Sequence, residues 1–370
     1  MRRRVMRTDP GHASRRACCV VGALAVALAL PHSVATPDPR ERSRVPFTER
    51  YRAVQHGGLV RAANTVVTCE KAVTATADRC APGTLRGGRN NDYRMTHVDV
   101  DDDRETRNSS RAELGLPHRA RVSYARLYWG GNLRADERRP ARDNGWVLFA
   151  EPGGSYKRVR ADSTIGRHRG SGGRDPDGYT ASADVTALVR DAGAGPYTVA
   201  EVNVATGHSA SGTWGGWTLV VTYEDDREPL RELAVWDGYE RLHDRRDRLS
   251  VTLPRPRFPA RASGTLGLVA YDGDRGQGHD SLHARAGSGS GVRLHDKANP
   301  AGDVLNSTLS DRGRATRGTP AYPNTLGYDS DVLDLTPALA RGGEGLRVDL
   351  STRGDDFQLA ALFLAATARR

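Results

Sequence analysis

Hydrophobic positions in this chain recur every second residue over short stretches, and glycine or proline turns separate these stretches. The clearest is Gly215–Tyr223, where Trp217, Leu219, Val221 and Tyr223 share one face of an extended strand. Most residues of the stretch are β-branched or aromatic, which suits a pleated, half-buried surface. The pattern therefore predicts a strand here, with its tryptophan face in a core.

The same period-two pattern predicts further strands, and few long helical patterns compete with it. We expect strands at Phe47–Val54 (an edge strand), Val122–Trp129, Trp146–Phe149, Tyr156–Val159, Tyr197–Val204, Leu346–Leu350 and Phe357–Phe363. The chain also has 41 Gly and 19 Pro, enough to form a turn after each strand. This combination is typical of an all-β protein.

One order of elements occurs twice along the chain. Asp184–Leu188 predicts a short helix, capped by its threonine, that leads through glycines to two strands, the second being Gly215–Tyr223. Asp334–Leu339 begins the same order about 145 residues later, a period that indicates a domain duplication and not a solenoid. We predict two tandem jelly-roll-like β-sandwiches related by internal duplication, over residues 46–227 and 228–370, each with one short helix.

The N-terminus has the composition of an export signal. Arginines precede the apolar run Ala17–Leu30, and Ser33–Ala35 supplies small residues of the kind that a signal peptidase reads. The run is short for a membrane span, so we predict a signal peptide over residues 1–35 and no transmembrane segment in the mature chain. An Arg-Arg pair before the run also fits a twin-arginine signal, so the route is either general secretion or twin-arginine export. Residues 36–45 would follow as a flexible N-terminus.

Removing this segment changes the charge balance. The full chain has a formal net charge of +10, and residues 1–35 contain six Arg and one Asp, which leaves +5 on the mature chain. A modest positive charge favours anionic cell-wall polymers. It does not favour nucleic acid, because no basic stripe is interleaved with aromatic residues.

The cysteine content also changes. Cys18 and Cys19 leave with the signal peptide, so that Cys69 and Cys80 remain. An even pair in an exported protein predicts a disulfide.

One acidic stretch has the residues of a calcium site. Asp272 and Asp274 are followed by Asp280, and two histidines, His279 and His283, lie close by. Carboxylates are the hard oxygen ligands that Ca²⁺ prefers, so the three aspartates are candidate ligands of a structural calcium ion. The alternative is an ordinary structured loop, because Asp-Gly-Asp also forms turns.

A second acidic stretch, Asp99–Asp103, ends a predicted strand. Calcium binding is one interpretation of its clustered carboxylates. The favoured interpretation is a solvated turn balanced by Arg104 and Arg107, because the spacing is not that of an EF-hand loop.

Motifs for nucleophilic, metalloprotease or phosphate-binding chemistry are missing from the sequence, so no catalytic residue is predicted. A carboxylate pair for glycoside hydrolysis could come from Glu201, Glu224, Asp237 and Asp272, but no motif selects two of them. Trp214 lies in a predicted loop, and we name it as the candidate ligand-binding residue, because an exposed indole can stack on a sugar ring.

Several motifs, taken in order, resemble one family of exported bacterial cell-surface proteins. They are Asn64–Cys69, Asn108–Ser110, Ala125–Gly131, Gly216–Tyr223, Val235–Tyr239, Gly267–Asp274 and Asn306–Thr308. The family has no assigned function, and its members often precede repeated adhesin-like domains. The resemblance covers roughly residues 47–367 and implies a secreted or surface β-rich module without catalytic residues. No such repeats and no sorting signal follow here, so covalent wall attachment is not expected.

These observations together predict a secreted or cell-surface protein, extracellular or loosely associated with the cell wall. It would bind extracellular or cell-envelope material, either a glycan or an anionic wall polymer, without catalysis. The alternative is a secreted carbohydrate-active hydrolase with its site between the two sandwiches. A third interpretation is a purely structural component of the cell envelope.

Overall fold

The computed structural model describes residues 40–101, 103–316 and 318–368. The described residues belong to one compact unit. The predicted signal peptide, residues 1–35, lies outside them.

Strands account for most of the described chain. Those of the first half are β1 (Glu41–Arg42), β2 (Val45–Thr65), β3 (Val67–Ala72), β4 (Tyr93–His97), β5 (Ser109–Leu114), β6 (Arg121–Asn132), β7 (Trp146–Ala150), β8 (Lys157–Arg160), β9 (Ile165–His168), β10 (Gly178–Asp184), β11 (Gly195–Ala200) and β12 (Gly215–Glu224). Those of the second half are β13 (Leu230–Leu242), β14 (Arg248–Phe258), β15 (Gly264–Tyr271), β16 (Ser281–Ala286), β17 (Val292–Leu294), β18 (Leu309–Asp311), β19 (Arg314–Ala315), β20 (Gly318–Thr319), β21 (Tyr328–Asp334), β22 (Gly343–Ser351) and β23 (Phe357–Thr367). The helices are short: α1 (Thr186–Ala192), α2 (Thr336–Leu339) and 3-10 turns at Asn90–Asp92 and Ala141–Asp143.

One long sheet organises these strands. It has twelve strands in the order β1-β9-β10-β6-β12-β2-β13-β23-β15-β21-β18-β19. A five-stranded sheet, β20-β5-β11-β7-β8, a four-stranded sheet, β14-β22-β16-β17, and the pair β3-β4 complete the described fold. The predicted all-β class is therefore confirmed.

Strand β2 joins the two halves of the long sheet. Its residues 45–56 pair with β13, and its residues 57–65 pair with β12. The prediction of a short edge strand at Phe47–Val54 is wrong, because β2 is 21 residues long and central. Its arginines caused the error: Arg50 and Arg52 have the pattern of a solvent face, but they bind Asp237 and Glu232 of β13.

Each smaller sheet covers one half of the long sheet and closes a core. In the first half, Trp129 and Trp217 of the long sheet pack in one hydrophobic cluster with Phe149 and Tyr197 of the five-stranded sheet. In the second half, leucines of β15 and β23 pack in a second cluster with those of the four-stranded sheet. Both halves are thus β-sandwiches, as the period-two pattern predicts.

A third core lies between the two sandwiches. It contains residues from the opposite faces of the same strands, among them Tyr128 and Val220 from the first half and Tyr271, Tyr328 and Phe363 from the second. The strands are therefore buried on both faces, and the two sandwiches pack through the backs of their inner layers.

The two halves repeat one strand order. The first has β10-β6-β12-β2 in the long sheet and β5-β11-β7-β8 in the covering sheet, and the second has β21-β15-β23-β13 and β14-β22-β16-β17. A short helix follows β10 in the first half and β21 in the second. The repeated order supports the internal duplication. The duplication and a domain boundary between residues 227 and 228 both stay predictions.

The two helices begin in the same way. The side chain of Asp184 accepts a hydrogen bond from the backbone N–H of Thr186, and Asp334 does the same for Thr336. The expected threonine caps are therefore replaced by aspartates two residues earlier, which satisfy an otherwise unpaired N–H and place negative charge at the helix N-terminus.

Two features near the N-terminus of the described chain bear on predictions. Cys69 and Cys80 form a disulfide with an S–S distance of 2.04 Å, as expected. The segment expected to be flexible, residues 36–45, contains β1, which pairs with β9.

Within the described residues, every helix is too short or too polar to cross a membrane.

Gly216 lies at a position where the two sandwiches pack closely against each other. A Cβ atom at this position would overlap the ring of Tyr328. We expect Gly216→Ala to lower the free energy of unfolding by about 1–3 kcal/mol, because a packed core accommodates an added methyl group poorly. Urea unfolding monitored by tryptophan fluorescence would measure the change.

The matched control is Gly83→Ala, where no atom lies within 4 Å of an added Cβ. An equal effect of the two substitutions would contradict the packing of β12 against β21.

Candidate functional site

A cleft of about 830 Å³ lies where the two sandwiches meet. We call it the inter-sandwich cleft. One wall comes from β2 and from the β12–β13 turn, and the other from β15, β18, β21 and α2. A recess of about 430 Å³, lined by Arg312 and Arg314, adjoins it at β18 and β19.

Charged side chains line this cleft. Arg231 binds Glu228 at 2.8 Å, and Arg312 lies 3.1 Å from Asp311. Arg61 also faces the cleft, and its Nε and Nη1 atoms are buried without a hydrogen-bond partner, while Nη2 donates to a backbone carbonyl. The guanidinium groups of the cleft that an anionic ligand can reach are therefore those of Arg231 and Arg312, whose side chains are 28% and 66% exposed.

Aromatic rings are not presented to a ligand in the same way. Trp129, Trp214 and Trp217 are fully buried, Trp236 is almost so, and Trp146 is covered by the guanidinium of Arg158 at 4.3 Å. Trp214 packs against Tyr271 in the third core, with ring centroids 5.4 Å apart. In this arrangement the indole that was predicted to bind a ligand has no surface on which a sugar could stack.

The carboxylates suggested for glycoside hydrolysis do not line the inter-sandwich cleft. Glu201 is paired with Arg107, Glu224 with Arg121, and Asp237 with Arg126. Asp272 belongs to a different group, described next.

Buried carboxylates in this protein fall into two groups. The first group is ion-paired with Arg or Lys and comprises Glu151, Asp177, Glu201, Asp225, Glu232, Asp237 and Glu240. The second group comprises Asp272, Asp274, Asp280, Asp329, Asp331 and Asp355, and within the described chain none of these lies within ion-pair distance of Arg, Lys or His. All of the second group lies in the second sandwich, so unpaired charge is concentrated there.

Four of these residues form what we call the four-aspartate cluster: Asp272, Asp274, Asp280 and Asp355. Two loops supply them: the β15–β16 loop carries Asp272, Asp274 and Asp280, and the β22–β23 loop carries Asp355. Asn90 of the first half donates from its side chain to Asp272 and from its backbone to Asp274, both at 3.1 Å. The backbone N–H of Asp274 donates to Asp355 at 2.9 Å. Of the three aspartates predicted from the sequence, Asp272 and Asp274 are thus linked through Asn90, and Asp280 lies near Asp274 without a shared hydrogen bond.

Asp280 differs from the other three. Its side chain is only 1% exposed, and neither carboxylate oxygen has a hydrogen-bond partner. The one nearby hydroxyl, that of Thr352, donates instead to the backbone carbonyl of Asp355. Burial of a carboxylate without a hydrogen-bond donor costs free energy of folding, so a compensating interaction at Asp280 has to be identified.

Burial dominates the electrostatics of the cluster. It raises the pKa values of Asp274 and Asp280 to about 7, because a charged carboxylate loses its hydration there. Burial, reinforced by repulsion from Asp274, also raises the pKa values of Asp272 and Asp355 well above the ordinary range. The four groups therefore disfavour one another's charge.

The sequence did not point to Asp355 or Asn90. Asp355 follows a glycine turn 75 or more residues after the other three, and Asn90 comes from the other sandwich. The predicted histidines are not part of the cluster: His279 is exposed, and His283 lies on β16 beside Arg293. The polar side chains of the cluster are therefore carboxylates and one amide.

Asp99 and Asp101 of the second acidic stretch accept hydrogen bonds from neighbouring side chains. Asp101 accepts hydrogen bonds from Tyr156 and Thr106. Burial alone would raise the pKa of Asp101, but these hydrogen bonds lower it below its usual value. Arg107, expected to balance the turn, binds Glu201 instead.

Asp329 and Asp331 form a separate aspartate pair on β21. Asp329 accepts backbone N–H bonds from Asn306 and Thr308, both at 3.0 Å, and Asp331 accepts from the backbone and hydroxyl of Ser310. In each residue the second oxygen, Oδ2, is buried and unpartnered. Burial raises the pKa of Asp331 to about 7, and burial together with repulsion from Asp331 raises the pKa of Asp329 well above its ordinary value.

Comparisons with known proteins give no family. No protein-family model and no curated protein matches the chain. Among the solved structures that resemble part of it is the Sulfolobus Turreted Icosahedral Virus, with 8% sequence identity, coverage of 70% of this chain and 86% of that chain, and a TM-score of 0.19. The STIV MCP has 9% identity, coverage of 70% of this chain and 92% of that chain, and a TM-score of 0.19. PNGase F, a glycosylasparaginase from Flavobacterium meningosepticum, has 11% identity, coverage of 83% of this chain and 96% of that chain, and a TM-score of 0.17. Likenesses this weak carry no argument about function, and the family resemblance noted above stays a prediction.

The aspartate pair predicts a pH dependence of stability. Asp331 is protonated in both states below pH 3.8, its ordinary pKa. Between there and about pH 7 the unfolded chain loses the proton while the folded chain keeps it, so stability falls, on the order of 2–4 kcal/mol for this group. Asp331→Asn should reduce this fall, as measured by urea unfolding at pH 4 to 8 with EDTA present.

The control is Asp191→Asn, which removes an exposed carboxylate of α1. An unchanged pH slope in Asp331→Asn, or the same change in both variants, would show that Asp331 does not titrate in this range.

Proposed function

We propose that this chain is an exported, non-catalytic protein that binds an anionic polymer of the cell envelope in the inter-sandwich cleft. The observation that carries the proposal is the arginine lining of this cleft, which both sandwiches form. Guanidinium groups bind phosphate and carboxylate oxygens through paired hydrogen bonds. The export step rests on the composition of residues 1–35.

An anionic ligand suits the cleft better than a neutral glycan. Neutral sugars are commonly held by exposed aromatic rings, and the one aromatic residue of the cleft, Tyr223, is 6% exposed. Arg312 and Arg314 are exposed at the adjoining recess and place two guanidinium groups beside the cleft. A positive net charge on the mature chain would also draw an anionic polymer towards the protein.

A carbohydrate-active hydrolase is the second candidate. Glu228, Asp311 and Asp334 line the same cleft and supply the residue type that glycoside hydrolysis needs. Each is already engaged, by Arg231, by Arg312 and by the backbone N–H of Thr336. These contacts occupy carboxylate oxygens that a hydrolase would need free for proton transfer or nucleophilic attack.

A retention experiment tests the proposal. The purified protein would be applied to an immobilised phosphate-rich wall polymer, a uronic-acid polysaccharide and a neutral polysaccharide, and eluted with increasing salt. We expect retention on the anionic supports that falls as ionic strength rises, because exposed charges are screened. Retention on the neutral support alone would contradict an anionic ligand, and release of reducing sugar would favour the hydrolase.

Substitution of Arg312 and Arg314 together by Gln should weaken retention about fivefold. Two exposed ionic contacts are worth about 1 kcal/mol, and the change also leaves Asp311 unpaired. The matched control replaces Arg104 and Arg142, two exposed arginines outside the cleft, by Gln. If both double variants weakened retention equally, retention would depend on the net charge of the protein and not on this cleft.

A further inference from the structure

The four-aspartate cluster contains more buried negative charge than its neighbours can neutralise. Asn90 and one backbone N–H supply neutral hydrogen bonds to three of the carboxylates. Elsewhere in the described chain, buried carboxylates outside the second sandwich have a cationic partner. A protein interior tolerates such a group only when protons or a cation remove the excess charge.

Arg275 and Arg241 form no ion pair with the carboxylates of the cluster. Arg275, which follows Asp274, donates to the backbone carbonyls of Asn306, Arg86 and Pro323. Arg241 binds Asp356, the residue after Asp355. Both guanidinium groups are therefore held by other acceptors, although they lie beside the cluster in sequence.

The carboxylate of Asp280 is buried beside Thr352, whose hydroxyl donates to the backbone carbonyl of Asp355. The charge of Asp280 and those of Asp274 and Asp355 repel one another. Both carboxylate oxygens of Asp280 are buried and free of donors, whereas each of the other three has at least one neutral donor. A residue in this state has two oxygens available for a ligand that accepts electron pairs.

We propose that the four-aspartate cluster binds one divalent cation of the hard class, Ca²⁺ in preference to Mg²⁺ or Zn²⁺, with Asp280 as the residue on which binding depends. Its ligand atoms would be carboxylate oxygens, because Asn90 presents only N–H groups to Asp272 and Asp274, and the cluster contains no histidine or cysteine. Zn²⁺ sites commonly use nitrogen or sulfur ligands. Mg²⁺ requires a small octahedral site, whereas Ca²⁺ accepts six to eight oxygens in irregular geometry.

The cluster must tighten when the cation binds. Among the described residues, no three His, Cys, Asp or Glu side chains are already placed to hold a metal ion. The loops that carry Asp280 and Asp355 contain Gly278 and Gly354, which have positive φ and no neighbouring atom within 4 Å of an added Cβ. The proposal therefore requires these loops to bring the carboxylates closer to one another once their repulsion is removed.

Cation binding has a direct test that does not depend on polymer binding. The protein would be stripped with EDTA, dialysed, and titrated at pH 8 with CaCl₂, MgCl₂ or ZnCl₂ by isothermal calorimetry, with thermal unfolding in parallel. We expect one equivalent of Ca²⁺, weaker Mg²⁺ binding, and a rise in Tm of roughly 5 °C at 100-fold excess over Kd. No heat and no Tm change in the wild-type protein would overturn the proposal.

Two variants assign the site. Asp280→Asn should weaken Ca²⁺ binding about tenfold or more and reduce the Tm rise at the same Ca²⁺ concentration to about half or less, because one charged ligand is lost. The metal-free variant should have a Tm equal to or above that of the metal-free wild-type protein, because an amide removes the repulsion without changing the size of the side chain. A lower Tm would instead indicate that the variant misfolds.

The matched control is Asp331→Asn, which also neutralises a buried, unpaired carboxylate but lies outside the cluster. It should bind Ca²⁺ as the wild-type protein does. Unchanged binding in Asp280→Asn, or equal loss in both variants, would overturn the assignment to the four-aspartate cluster.

Discussion

The backbone hydrogen bonds along β2 hold the two sandwiches together. One part of this strand pairs with β13 and the other with β12, so each sandwich completes its inner layer with the same strand. Separating the sandwiches would break one of these ladders and leave buried N–H and C=O groups unpaired, at a cost comparable to the loss of each hydrogen bond. The third core and the inter-sandwich cleft both depend on this arrangement.

Burial of the long sheet on both faces explains where the aromatic residues lie. Along β12, Trp217 and Leu219 face the first sandwich core, while Thr218 and Val220 face the second sandwich. Thr218 also bonds Ser330 at 2.9 Å across this boundary. Tryptophans that alternation alone would allow at a surface are therefore interior, and ligand binding is left to polar loops and clefts.

Charge is distributed unequally between the two halves. Around β2 and β13, Arg50 and Arg126 share Asp237, and Arg52 neutralises Glu232, so charges buried there are compensated within the protein. In the second sandwich, the β15–β16 and β22–β23 loops bring aspartates together without such partners. The negative charge of these aspartates must be neutralised by protons or by a bound cation. We therefore expect these loops to be the part of the fold that responds to pH and to cations.

Local sequence patterns determined the strand class, most strand positions, the two short helices and the Cys69–Cys80 pair, because each depends on residues close together in the chain. They also selected Asp272, Asp274 and Asp280. Only the tertiary structure decided that β2 is central, that Trp214 is buried, and that Asp355 and Asn90 join the cluster. Those outcomes depend on which distant strand or loop lies opposite a residue, and the alternation of polar and apolar positions does not encode that partner.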